Sequence, residues 1–183
     1  MHNVDVSIFF GIYHHVHTEI GDRWIPLLRN TYTWIPYFFL VFYLLYKKYA
    51  KNNFLKVIAL FVLCVVLSDQ LSAHLLKPIF QRPRPCHSYD IVTLVDCGSG
   101  YSFPSAHASN FFTLAFLLYF FLQESCLRYW GFIVAFSVAF AQIYVGVHYP
   151  FDILGGILVG CIIAFVAQSY SKKYFLKKYG AID

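Results

Sequence analysis

Two histidines, one aspartate and a few cations stand out from an apolar chain because they fall beside proline-marked helix starts. In Gly146-Val147-His148-Tyr149-Pro150-Phe151-Asp152, Pro150 suits the first turn of a helix, where its missing N–H costs nothing, and Asp152 stands four residues past His148. A carboxylate that accepts the imidazole Nδ1–H fixes the tautomer and leaves Nε2 as a nucleophile. An aspartate at a helix start is also ordinary capping, worth about 0.3–1 kcal/mol, so this pair alone is weak evidence. Ser102-Phe103-Pro104-Ser105-Ala106-His107 repeats the pattern, with a hydroxyl, a titratable ring and free amides at Ser105 and Ala106 at the positive end of a helix dipole. Taken by itself it reads more simply as a capped helix with an interfacial histidine. Lys77 to Pro85 (K-P-I-F-Q-R-P-R-P) adds cations, with Pro83 and Pro85 stiffening the chain around Arg84. Lysine and arginine at a membrane surface usually extend to headgroups, so this cluster too is weak alone. Together the three supply two cations, a helix-end anion site, one histidine with an orienting carboxylate and one without. That is the inventory for phosphoryl transfer through histidine.

The elements that must position these groups are membrane helices. Of 183 residues, 59% are apolar, 21% are aromatic and 13% are charged, against about 25% charged in soluble domains. This excludes disorder, a coiled coil and a nucleic-acid-binding module, because the 14 basic residues are offset by 9 acids and scattered through apolar sequence. Five apolar runs, near residues 31–46, 54–76, 104–122, 129–147 and 151–170, approach the roughly 20 residues that cross about 30 Å of hydrocarbon. The first is short unless it extends back through residues 24–26. They lack period-2 alternation, so the expected fold is an all-α polytopic helical bundle, one domain over residues 1–183, rather than a barrel. Before it, Val6, Phe9, Ile12, Tyr13, Val16 and Ile20 form an apolar stripe between Asp5, His14, His15 and Glu19, which predicts an amphipathic helix lying in the interface.

Nine basic residues (Lys47, Lys48, Lys51, Lys56, Arg128, Lys172, Lys173, Lys177 and Lys178) fall on one side of these spans; Arg23, Arg29, Lys77, Arg82 and Arg84 fall on the other. The positive-inside rule assigns the first group to the cytoplasm, so all three clusters face outward. On that side Cys86 and Cys97 are the pair placed to form a disulfide. Gly156, Gly160 and Ala164, at four-residue steps, predict a close helix–helix approach. His14, His15 and His17 read as solvated rather than as metal ligands, and Asp69 with Ser68, Ser72 and His74 as a helix–helix polar network.

The chain resembles the type 2 phosphatidic acid phosphatase (PAP2) superfamily, related to vanadium haloperoxidases, whose signature is K-x6-R-P, P-S-G-H and S-R-x5-H-x3-D. Lys77 to Arg84-Pro85 matches the first fully; Pro104-Ser105-Ala106-His107 matches the second with alanine for glycine; Ala141-Gln142-x5-His148-x3-Asp152 keeps the histidine and aspartate of the third but not its serine and arginine. The resemblance covers residues 77–152 and implies hydrolysis of a lipid phosphate or diphosphate without metal or cofactor. His148 would attack phosphorus, Asp152 would stabilise its imidazolium, and His107 would protonate the leaving oxygen. Lys77, Arg84, Ser105, the Ala106 amide and Gln142 would hold the phosphoryl oxygens. Gln142 leaves that set one charge short, a charge Arg82 is placed to supply unless the substrate differs. A short chain of this kind looks bacterial, with its site facing outward from the cytoplasmic membrane. Undecaprenyl diphosphate is the leading substrate; phosphatidylglycerophosphate, phosphatidate and lipid A are the alternatives. A non-catalytic lipid-phosphate-binding or transport protein is the rival from another class. The spans exclude a soluble haloperoxidase, and oligomeric state is not legible.

Overall fold

The structure, a computed structural model, describes residues 2–49, 51–123 and 125–176. Lys177 and Lys178 of the basic C-terminal tail lie outside the described residues. Within them every regular element is helical: α1 (His2–Val16), α2 (Glu19–Arg29), α3 (Ile35–Lys48), α4 (Lys51–Gln70), α5 (Lys77–Phe80), α6 (Pro85–Ser88), α7 (Ala106–Phe121), α8 (Trp130–Tyr144) and α9 (Pro150–Ser171). Short 3-10 turns at Thr31–Trp34 and Cys126–Tyr129 lead into α3 and α8, and a π segment at Leu71–Leu76 joins α4 to α5.

Each of the five expected spans corresponds to one of α3, α4, α7, α8 and α9. The stretches Asn53–Ser88, Cys126–Tyr144 and Pro150–Tyr174 are long and apolar enough to cross a membrane. α9, at 22 residues, is about 33 Å long. Its Leu154, Leu158, Ile162 and Phe165, one turn apart, all lie exposed. In water such a stripe would drive aggregation; in a bilayer it faces hydrocarbon of like polarity.

α7 is the centre of the bundle, burying Ala108, Phe112, Ala115, Leu117 and Leu118 between α4, α8 and α9. It is 16 residues long, about 24 Å. Its closest neighbour is α9, and the small-residue stripe is the reason. A Cβ on Gly156 would stand 2.8 Å from the Ser105 carbonyl oxygen, and one on Gly160 would stand 2.6 Å from the Thr113 amide nitrogen. Both neighbours are backbone and cannot swing aside. Gly160→Ala should therefore lower stability by about 1–3 kcal/mol, read as an earlier thermal unfolding midpoint in detergent; an unchanged midpoint would refute the close approach.

The N-terminal stripe divides between two helices. Thr18 ends the run by capping α2, its Oγ1 accepting from the Gly21 amide at 3.0 Å, so Ile20 falls on α2 and is exposed. α1 packs against α8 and α9, with Phe9 fully buried beside Tyr149 and Val138. The first span likewise does not extend back: residues 24–26 belong to α2, and Asn30 starts a new turn by capping the Tyr32 amide.

Candidate functional site

Four helix beginnings, those of α5, α6, α7 and α9, and the end of α8 converge at one end of the bundle. α9 starts at Pro150, and Asp152 reaches back to accept the Tyr149 amide through Oδ2 at 2.8 Å. The same Oδ2 lies 3.3 Å from His148 Nδ1, so the turn that begins the helix also orients the imidazole. His148 is 2% exposed and Asp152 fully buried. Burial pushes the His148 pKa down to about 4, with Asp152 opposing the shift, so the ring is neutral at physiological pH.

α7 starts at Ser105, whose Oγ accepts from the Ala108 amide at 3.4 Å and whose own amide donates to the Asp152 carbonyl at 3.0 Å. That bond locks the starts of α7 and α9 together. It sets Ala106, with its first-turn amide, and His107 beside the dyad. Lys77 follows the π segment, whose extra residue per turn shifts the register of what comes after, and Arg84 sits extended between two prolines with Nε donating to the Gly100 carbonyl at 2.8 Å. Lys77, Arg84, His107 and His148 are within electrostatic reach of one another. Of the residues expected at the site, these four, Asp152, Ser105 and Ala106 are brought to one place.

Gln142 closes α8. Its backbone carbonyl accepts from the His148 amide at 3.2 Å, and its side chain is fully buried with neither Oε1 nor Nε2 partnered. Arg82 does not supply the missing charge. Its guanidinium donates to Asp152 Oδ1 at 2.8 Å and to Asp5 Oδ2 at 2.5 Å, and lies 3.9 Å from the centroid of the Tyr149 ring. Two carboxylates neutralise it. Asp5, 1% exposed, also accepts the Phe151 amide at 2.9 Å through its other oxygen. Asp5 was legible only as one polar residue of an amphipathic helix, although it stands one turn before the buried Phe9.

A Cys86–Cys97 disulfide, with Cα atoms 6.3 Å apart, closes the loop carrying Arg84 toward Gly100. His17 is not a free ligand: its Nδ1–H donates to Asp22 Oδ1 at 2.7 Å and its ring stacks on Tyr144. Asp69 accepts from Asn110 Nδ2 at 3.0 Å and Ser68 pairs with Ser109, joining α4 to α7, while His74 is exposed. Two cavities meet at His107. One, of about 310 Å³, is also lined by Phe38, Val65, Asp69 and Leu114; the other, of about 600 Å³, by Arg29, Asn30 and Tyr32.

A helical membrane bundle that gathers a histidine–carboxylate dyad, a second histidine and paired cations at its helix starts is built to bind and transfer a phosphoryl group. The family model of the PAP2 superfamily matches residues 58–175, and the chain belongs to that superfamily. It is 33% identical over 156 residues to a lipid A 4'-phosphatase of Porphyromonas gingivalis, covering 81% of this chain and 66% of that one. It is 32% identical over 150 residues to an undecaprenyl-diphosphatase of Sulfolobus acidocaldarius, covering 80% and 68%. The chain thus spans about two thirds of the length of these relatives. Among solved structures, the LpxE of Aquifex aeolicus superposes with a TM-score of 0.66 at 25% identity, covering 91% of this chain and 96% of that one. A PAP2-type phosphatidylglycerolphosphate phosphatase of Bacillus subtilis gives the same score at 21% identity, a likeness of fold.

Proposed function

We propose that the protein hydrolyses a lipid phosphate or diphosphate at the outer face of a bacterial cytoplasmic membrane, through a phosphohistidine on His148. The observation that carries this is the His148–Asp152 dyad, because a site that only bound phosphate would need cations but no oriented nucleophile. His148 Nε2 attacks phosphorus while Asp152 holds the imidazolium that forms. His107 protonates the leaving oxygen, a contribution of about 10²–10⁴-fold, and then serves as base for the water that cleaves the phosphohistidine. Lys77, Arg84, the Ser105 hydroxyl and the Ala106 amide hold the phosphoryl oxygens as charge builds on them. The count of basic residues by side and the Cys86–Cys97 disulfide beside Arg84 support the outward orientation.

Undecaprenyl diphosphate is the leading substrate, since that carrier is dephosphorylated on the outer face and one relative bears the activity in its name. Lipid A is the second reading, favoured by the Porphyromonas gingivalis relative. The test is phosphate release from a panel of lipid phosphates in detergent, with chelator present. Release that survives chelator is expected; no release from any substrate would defeat the proposal, and chelator-sensitive release would point to a metal enzyme.

A further inference from the structure

Arg29 is the last residue of α2 and belongs to none of the signature elements. Both ends of α2 are fastened. At its start Asp22 Oδ1 accepts the Tyr144 hydroxyl at 2.6 Å and His17 Nδ1–H at 2.7 Å, tying the helix to the end of α8. Gly21 sits so close to Tyr144 that a Cβ there would stand 2.4 Å from the phenol oxygen. At the other end the Leu28 carbonyl accepts the Trp34 indole N–H at 2.8 Å and the Leu27 carbonyl accepts the Thr33 hydroxyl at 2.7 Å. α2 is therefore a fixed arm, and what it delivers is Arg29.

The guanidinium lines the 600 Å³ cavity together with His107. Its Nε is buried without a hydrogen-bond partner, and it makes no ion pair among the described residues. A cation in the last turn of a helix does complement the dipole, but that effect is met at the surface and requires no shared cavity with a histidine. Arg82, by contrast, is neutralised by two carboxylates. Arg29 feels Asp96 and Arg84 only at a distance, without an ion pair, and is the arginine that shares a cavity with His107.

That placement matters because of the chemistry. On the proposed mechanism the transferring phosphoryl group lies against His148, Lys77 and Arg84, and the leaving group lies against His107. An alcohol leaves by taking His107's proton and needs no cation. A phosphate leaves as an anion, which a cation next to the bridging oxygen stabilises as the bond breaks.

We propose that Arg29 is a specificity-determining residue that binds an anionic leaving group, so that the enzyme favours lipid diphosphates over lipid phosphate monoesters. The inference rests on the phosphohistidine reading above. In the favoured reaction the bond between the terminal phosphorus and the bridging oxygen breaks, its electron pair staying on that oxygen. His148 Nε2 bonds to phosphorus, and His107 gives its proton to the departing lipid monophosphate, which Arg29 pairs. Water then releases inorganic phosphate and restores both histidines.

The test compares kcat/KM on undecaprenyl diphosphate and on phosphatidate for the full chain in detergent, as wild type, Arg29→Ala and Arg29→Lys. Arg29→Ala should lose about 100-fold on the diphosphate and no more than a few-fold on the monoester, with Arg29→Lys recovering part of the loss. The monoester rate doubles as the control for folding. Equal losses on both substrates, no loss on the diphosphate, or a wild type that accepts only the monoester would each overturn the assignment. A wild type inert on both, but active on another member of the lipid-phosphate panel, would overturn the diphosphate assignment alone; a wild type inert on the whole panel would instead defeat the phosphohistidine reading beneath it.

Discussion

His148→Ala is expected to reduce phosphate release from every lipid substrate by about 10⁴-fold or more, because on the proposed mechanism it removes the atom that receives the phosphoryl group rather than one contact to it. The residual cations and helix starts would still bind substrate, so KM should move far less than kcat. Wild-type enzyme quenched in alkali during turnover should carry phosphate on histidine, and the variant should carry none. The pH profile gives an independent check. Attack needs the neutral imidazole, and burial holds the His148 pKa at about 4, below the usual histidine value. The acid limb of kcat/KM, which reports the free enzyme, should therefore fall away near pH 4 and not near 6.5. Full activity in the variant, or an acid limb at the ordinary histidine pKa, would contradict the role given to His148.

The second large effect is expected at Asp5, which touches no substrate. Asp5 and Asp152 share the Arg82 guanidinium, and Asp5 also satisfies the Phe151 amide one residue before Asp152. Asp5→Ala leaves a partly buried guanidinium with one carboxylate instead of two and an N–H at the start of α9 without its acceptor. Breaking a buried ion pair from one side costs about 3–5 kcal/mol, because the partner is left desolvated. A clearly lower unfolding midpoint in detergent should appear together with a fall in kcat, since Arg82 would then pull on Asp152 alone. Asp5→Asn, which can still accept the Phe151 amide, should recover part of both. A double-mutant cycle between Asp5 and Arg82 should show strong non-additivity. Additive effects, or an unaltered midpoint, would mean that α1 does not brace the site.

Why Asp5 escapes a reading of the sequence while Asp152 does not follows from the range of the forces involved. Asp152 declares itself through Pro150 and His148, all within one helical turn. Asp5 acts on a residue 77 positions away, and nothing in the local pattern around it differs from an amphipathic surface helix. The stripe from Val6 to Ile20 misleads for a related reason: apolar periodicity continues past Thr18, although the Thr18 cap, itself a local signal, restarts the helix there. Arg82 is the instructive case. Its position within K-P-I-F-Q-R-P-R-P suggested a spare phosphate-binding charge, and only the approach of two carboxylates from distant helices shows that the charge is already spent.

The order of residues along the chain is enough to read whatever neighbours in sequence encode. It specified the apolar runs that become α3, α4, α7, α8 and α9, the proline-marked starts of α7 and α9, the His148–Asp152 spacing that one helical turn makes into a hydrogen bond, and the small-residue stripe on α9. These follow from helix periodicity, capping and hydrophobic length, which act over a few residues at a time. Which cations remain available follows only from how the helices pack. Packing α1 against α8 and α9 brings Asp5 to Arg82, and fastening α2 to Tyr144 brings Arg29 to the cavity beside His107. The charge of a buried group depends on what the fold sets against it, and those partners are drawn from helices far apart along the chain.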